Sequence, residues 1–150
     1  MKERFAYWCA TFSFIGRLPY APGTWASLAA IPILWLLSNH TRMSLLAFFP
    51  FLLVSIWSST VTAGQLHAKD PAQVVIDEVC GMWTSFLFVP IRWQTLLAGF
   101  FLFRFFDVVK PQPVRAIEKL PGGFGIVFDD VAAGIYTNVI LQLAVRYAHL

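Results

Sequence analysis

The chain has 150 residues, 58% of them apolar and only 13% charged, whereas soluble domains carry about a quarter charged residues. Most of its surface is therefore expected to meet lipid. The formal net charge of +3 comes from single basic residues scattered among apolar runs, and the two cysteines, Cys9 and Cys80, stand far apart, which argues against a nucleic-acid-binding stripe, a disulfide framework and a zinc site.

Residues 2–16 have a basic start and a short apolar stretch, like a signal peptide, but no small-residue cleavage site follows. They are expected to lie at the membrane surface or to re-enter it. Five spans or partial spans follow, judged against the roughly 20 apolar residues needed to cross a bilayer. Residues 24–38 are apolar but short and contain Pro32, which suits a broken span. Residues 44–64 carry no charge and are long enough to cross. Residues 74–89 cross only if Asp77 and Glu78 lie near one interface. Residues 93–109 are bounded by Pro90 and Pro111, with Arg104 and Asp107 in the last turns, and residues 127–147 close the chain with Asp129 and Asp130 near the first turn. The stretch 110–126, rich in proline and glycine, is expected to be a loop. The fold class is thus an all-α polytopic membrane bundle of about four to five spans or partial spans in one domain.

Loop charges orient this bundle. Lys2, Arg4, Arg17, Lys69, Lys110, Arg115 and Lys119 share one side, against Arg42, Arg92 and Arg146 on the other, so the first side is read as cytoplasmic. The same topology carries Asp77, Glu78, Asp107, Asp129 and Asp130 to that face from three different helices. An ionisable group deep in a membrane costs roughly 2.5–3.5 kcal/mol even on the lenient insertion scale, so such a gathering points to function.

Four local patterns carry the chemistry. In Val75-Ile76-Asp77-Glu78-Val79-Cys80-Gly81, the glycine lies one helical turn beyond Asp77, leaving space for a ligand or another backbone; acids stabilising a helix N-terminus would look the same. In the segment from Arg104 to Pro113, Arg104, Asp107 and Lys110 fall on one helix face, which suits a phosphate clamp, or an ion pair with a snorkelling lysine. In Gly122-Gly123-Phe124-Gly125 followed by Asp129-Asp130 and Gly134, glycine backbone N–H groups suit an anion and the adjacent acids suit a hard cation, while an Asp cap after a flexible turn is the plain alternative. In the segment from Gly16 to Ser27, Pro22-Gly23 marks a turn and the hydroxyls of Thr24 and Ser27 stand at a helix start, suited to phosphate or to ordinary capping. His40, His67 and His149 are isolated and are read as interfacial side chains. Without paired His or Cys spacing, magnesium fits better than zinc.

Taken together, these motifs resemble the phosphatidylglycerophosphatase A family. The matching pieces are Ala21-Pro22-Gly23-Thr24 with Ser27; Lys69-Asp70-Pro71 with Ile76-Asp77-Glu78 and Gly81; Phe103-Arg104-Phe105-Phe106-Asp107 with Lys110-Pro111 and Pro113; and Gly122-Gly123-Phe124-Gly125 with Asp129-Asp130 and Gly134. They occur in the family's order between about residues 16 and 140. Where the family commonly has glycine, this chain has Ala26. The resemblance implies a bacterial inner-membrane enzyme, its active site facing the cytoplasm, that removes the terminal phosphate of phosphatidylglycerol phosphate with Mg2+. Asp77, Glu78, Asp129 and Asp130 would hold the metal. Arg104 and Lys110 would stabilise the phosphoryl oxygens, with Asp107 as nucleophile, base or water-positioning group. Thr24, Ser27, Arg17, Lys69, Gly123 and Gly125 would bind the phospholipid substrate. A membrane phosphotransferase would need a longer repeated aspartate pattern, and a cation transporter would spread its acids through the membrane depth rather than gather them beside Arg and Lys.

Overall fold

A computed structural model describes residues 1–37 and 41–147, and within them every regular element is helical. The helices are α1 (Lys2–Ala10), α2 (Pro22–Leu37), α3 (Thr41–Gln65), α4 (Ile76–Ser85), α5 (Trp93–Val109), α6 (Val114–Ile117) and α7 (Gly123–Tyr147), with a 3₁₀ turn at Ile15–Arg17. His40 and His149 lie outside the described residues; His67 sits in an exposed turn after α3.

Burial is inverted relative to a water-soluble bundle. Leu46, Phe49, Leu53, Leu97, Phe101, Val139 and Leu143 point outward, while Ser27, Ser55, Ser58, Ser59, Thr62, Thr95 and Thr137 are sealed inside. Several of these buried hydroxyls are satisfied on their own helix, as where Ser55 Oγ donates to Phe51 O at 2.8 Å and Thr137 Oγ1 donates to Ala133 O at 3.0 Å, while those of Ser59 and Thr62 have no partner. Such small polar residues let helix backbones approach closely where lipid removes the usual hydrophobic drive for association. The fold is a membrane-associated helical bundle, and α3 and α7, at 25 residues each, are long and apolar enough to cross a bilayer.

Two sequence expectations change. Residues 74–89 read as a span only if Asp77 and Glu78 lie near one interface, and α4 has only 10 residues, about 15 Å of helix against a hydrocarbon core of about 30 Å. It is a central helix enclosed chiefly by α7, α2 and α3, so its apolar side chains meet protein. It stops where Asn138 on α7 donates from Nδ2 to the carbonyls of Thr84, Ser85 and Leu87 at 3.2, 3.1 and 2.8 Å, satisfying groups that a helix end leaves free. The stretch 110–126 contains the short α6, and α7 starts at Gly123 rather than Val127. Thr60 Oγ1 on α3 accepts from Gly123 N–H at 2.8 Å and so caps that start from a neighbouring helix.

The crossing of α4 and α7 brings the acids together. A Cβ on Gly81 would run into the Phe103 ring and the Asp130 carbonyl, and one on Gly134 would run into the Gly81 carbonyl. The two acid-then-glycine patterns therefore face each other, and the space beside the glycines is filled by the facing helix and, at Gly81, by Phe103 of α5 as well. Asp77 and Asp130 each lie one turn before their glycine, so close contact between the glycines sets the carboxylates side by side.

Candidate active site

Five segments enclose a cavity of about 310 Å³. The start of α2 supplies Pro22 and Gly23, the loop before α4 supplies Asp70 and Pro71, α4 supplies Asp77 and Glu78, the end of α5 supplies Arg104, Asp107 and Lys110, and α7 supplies Asp129 and Asp130. Six carboxylates thus share the cavity with two cations, a formal excess of four negative charges if all are ionised. Added positive charge would favour the entry of a phosphate ester.

Asp77, Glu78 and Asp130 each offer a carboxylate oxygen, and these oxygens lie within 4.8 Å of one another. Asp77 Oδ1, Glu78 Oε2 and Asp130 Oδ2 are buried without a hydrogen-bond partner. Three clustered carboxylates, each with one oxygen left without a partner, fit a hard, oxygen-preferring cation, so the three residues form a cluster able to hold a metal ion.

Asp129 is differently employed. Its Oδ2 lies 2.7 Å from Lys110 Nζ, and its Oδ1 accepts the Asp130 backbone N–H at 3.0 Å. Expected among the metal ligands, it stands outside the three-carboxylate cluster and anchors a lysine. Lys110 also approaches Glu118 at 3.5 Å. Burial opposes its charge, yet the hydrogen bond and attraction from Asp129 outweigh burial and hold the ammonium above its ordinary pKa. Lys110 ends α5 in a left-handed conformation, φ 46°, which turns the chain there; its ammonium is held by acids from α7 and the preceding loop.

Arg104 Nη1 lies 2.7 Å from Asp107 Oδ2, one turn on, and 3.9 Å from Glu78 Oε1. The contact with Asp107 is an ion pair without hydrogen-bond alignment. The guanidinium therefore stands between the metal-binding cluster and Asp107. Asp70, in the loop, has its pKa raised chiefly by burial, with Lys110 pulling it down and Glu118 and Asp107 pushing it up.

The expected substrate-binding residues scatter. Ser27 is fully buried and its hydroxyl donates to Gly23 O at 2.8 Å, while half-buried Thr24 stands outside the cavity lining. Arg17 is exposed, 5.7 Å over the Phe14 ring, in a separate recess with Arg4 and Tyr7. Lys69 borders a small neighbouring recess that it shares with Asp70 and Glu118. Gly123 and Gly125 are packing positions: a Cβ would strike the Ile56 carbonyl at the first and the Leu120 carbonyl at the second. Their smallness seats α7 against α3 and the preceding loop, which aims Asp129 and Asp130.

A family model for phosphatidylglycerophosphatase A matches residues 8–145. The chain belongs to the phosphatidylglycerophosphatase A family. Among curated relatives, a protein of Haemophilus influenzae named phosphatidylglycerophosphatase A is 38% identical over 136 residues, covering 88% of this chain and 83% of the relative. The Escherichia coli protein of the same name is 36% identical over 130 residues, 84% of this chain and 75% of its own length. A Bacteroides thetaiotaomicron protein bearing the name "Putative phosphatidylinositol-3-phosphatase" is 37% identical over 141 residues, 86% of each chain. No solved structure matches this chain. The departure from the family pattern at Ala26 has a plain setting here: its methyl group is fully buried in the bundle core and outside the cavity lining.

Membership gives two residues of the cavity a context that local spacing did not. Gly23 packs so tightly against the Glu78 carboxylate that a Cβ would displace it, whereas Pro22-Gly23 reads in sequence as an ordinary turn. Asp70 belongs to a matching motif, yet it sits in a polar loop where an acid looks unremarkable. Glu118, the second partner of Lys110, carries no sequence signal; it comes within reach because α6 folds the connection back beside α7.

Proposed function

We propose that the chain is one membrane-embedded phosphatase domain that hydrolyses the terminal phosphate of phosphatidylglycerol phosphate in the presence of Mg2+, yielding phosphatidylglycerol and inorganic phosphate. The observation that carries this reading is the set of three orphaned carboxylate oxygens beside the Arg104 guanidinium. Magnesium, when held by Asp77, Glu78 and Asp130, would supply positive charge to polarise the phosphoryl group and acidify water. Arg104 offers planar paired donors for phosphoryl oxygens. Asp107, oriented by Arg104, is the group available to position the attacking water, take its proton or attack phosphorus directly. In the hydrolysis the oxygen derived from water bonds to phosphorus, the bond from phosphorus to the glycerol oxygen breaks, and that oxygen takes up a proton. Lys110, tied to Asp129 and Glu118, fixes the α5–α7 side of the cavity and adds positive charge.

The same reading makes the chain an integral protein of the bacterial cytoplasmic membrane with the cavity facing the cytoplasm, as the distribution of basic loop residues supports. Single cysteines at Gln73 and Gln112, in a background lacking Cys9 and Cys80, should then label from the cytoplasmic side; labelling from opposite sides would overturn the orientation. The deciding assay is phosphate release by the purified protein from diacyl phosphatidylglycerol phosphate and from phosphatidylinositol 3-phosphate, each with and without Mg2+. Magnesium-dependent release favouring the first lipid is expected. No release from it sinks the proposal, and preferential release from the phosphoinositide reassigns the substrate.

A further inference from the structure

An apolar groove of about 350 Å³ runs between α2 and α5, formed by Leu28 and Ile31 on the first helix and Trp93, Leu96, Leu97 and Phe100 on the second. It exists because α2 packs chiefly on α4 and touches α5 sparingly. Its position relative to the carboxylate cavity gives it meaning. Gly23, at the start of α2, lies against Glu78 and near Arg104, toward the end of α5, so from that meeting point the two helices run in opposite chain directions. Leu28 follows Gly23 by five residues and Phe100 precedes Arg104 by four, which puts the near end of the groove about 6–8 Å of helix axis from the site. Trp93, eleven residues before Arg104, sets the far end at about 16 Å.

From these positions we infer that the groove holds one acyl chain of the lipid whose phosphate occupies the carboxylate cavity, so that substrate enters sideways from the bilayer between α2 and α5. The inference rests on the function proposed above and adds how the lipid is positioned. A membrane phosphatase must bring a charged headgroup to its acids while the chains stay out of water, and an apolar channel beginning beside the site does this. Leu28, Trp93 and Leu97 are open on the outer side, so a chain can move in without displacing packed residues. The outward face of α3, with Leu46, Phe49 and Leu53, is equally apolar, but α3 supplies no residue to the cavity, whereas α2 and α5 both do. Where contacts along the chain are equal in the ground and transition states, their loss raises KM and leaves kcat unchanged.

The test compares dioleoyl with dihexanoyl phosphatidylglycerol phosphate, in detergent micelles with Mg2+. Leu28→Trp and Leu97→Trp, which fill the groove, should lower the long-chain to short-chain ratio of kcat/KM by about tenfold, chiefly through the long-chain KM. Leu53→Trp should leave the ratio at the wild-type value. An unchanged ratio in both groove variants, or an equal fall in Leu53→Trp, overturns the assignment. A second measurement needs no turnover: a phosphatidylglycerol phosphate carrying a diazirine midway along one acyl chain is photolysed on the protein and the adducts are mapped. Adducts gathered on the α2 and α5 groove residues, competed by unlabelled phosphatidylglycerol phosphate but not by phosphatidylcholine, are expected. Adducts spread evenly over the exteriors of α3 and α7 overturn it. If the wild-type protein releases phosphate from neither lipid, the proposed activity fails and the adduct map alone decides the groove.

Discussion

Helix α3 turns Leu46, Phe49 and Leu53 outward and keeps Ser55, Ser58, Ser59 and Thr62 inside, whereas the ten residues of α4 are enclosed everywhere except at half-buried Glu78. Both segments read as apolar runs, yet one turns its large apolar side chains outward and the other buries them in protein. Apolarity along a stretch reports that water is absent and leaves open what replaces it. The difference also separates two uses of polar side chains. The hydroxyls of Ser55 and Ser58 fold back onto their own helix carbonyls, while the carboxylates of Asp77 and Glu78 keep oxygens without partners. On α3 the hydroxyls of Ser59 and Thr62 also lack partners, but a neutral hydroxyl costs far less to bury than a carboxylate.

The contrast is sharpest where those acids are removed. Asp77→Asn, Glu78→Gln and Asp130→Asn should each lower phosphate release by at least about 100-fold, the scale of preorganised electrostatic groups. Their thermal stability in detergent should hold or rise, since an amide relieves an uncompensated buried charge. Retained activity would return these acids to helix-end stabilisation. Packing separates the two helices next. Gly81→Val forces a side chain against Phe103 and the Asp130 carbonyl and should cost about 1–3 kcal/mol or prevent folding. Leu53→Ala, on the open face of α3, should stay within about 0.5 kcal/mol. Equal thermal shifts for the pair would break the distinction between the enclosed helix and the outward-facing one.

The smallest of these effects concerns Arg104, which reaches toward α4 from α5. Arg104→Lys keeps a charge beside Asp107 and Glu78 but loses the guanidinium's paired donors, so kcat/KM should fall about 10-fold, equivalent to roughly 1.4 kcal/mol. If Arg104 were only the structural partner of Asp107, the lysine variant would be nearly wild type and Asp107→Asn would relieve the defect of Arg104→Gln. For a phosphate-binding arginine the double variant is worse than either single one, at saturating Mg2+ and equal folded protein.

What the sequence by itself determined was local: apolar runs that make helices in lipid, acids placed near the ends of those runs, and spacings of three and four that set Arg104 beside Asp107 and Asp77 one turn from Gly81. Basic residues collected on the loops at the end where the acids gather. Family membership was legible for the same reason, because its motifs are short and ordered along the chain. Tertiary structure decided the rest. It divided four expected metal ligands into a cluster of three and an Asp129 that pairs with Lys110, shortened the third span into an enclosed helix ended by Asn138, and assigned Gly123 and Gly125 to packing. It also left Ser27 bonded to its own helix and opened a groove between α2 and α5. The physical reason is that helical periodicity fixes neighbours within one or two turns, whereas contacts between segments far apart in the chain depend on how helices rotate and cross. That crossing is set by small residues such as Gly81 and Gly134, whose contribution is the space they leave and whose partners no local pattern names.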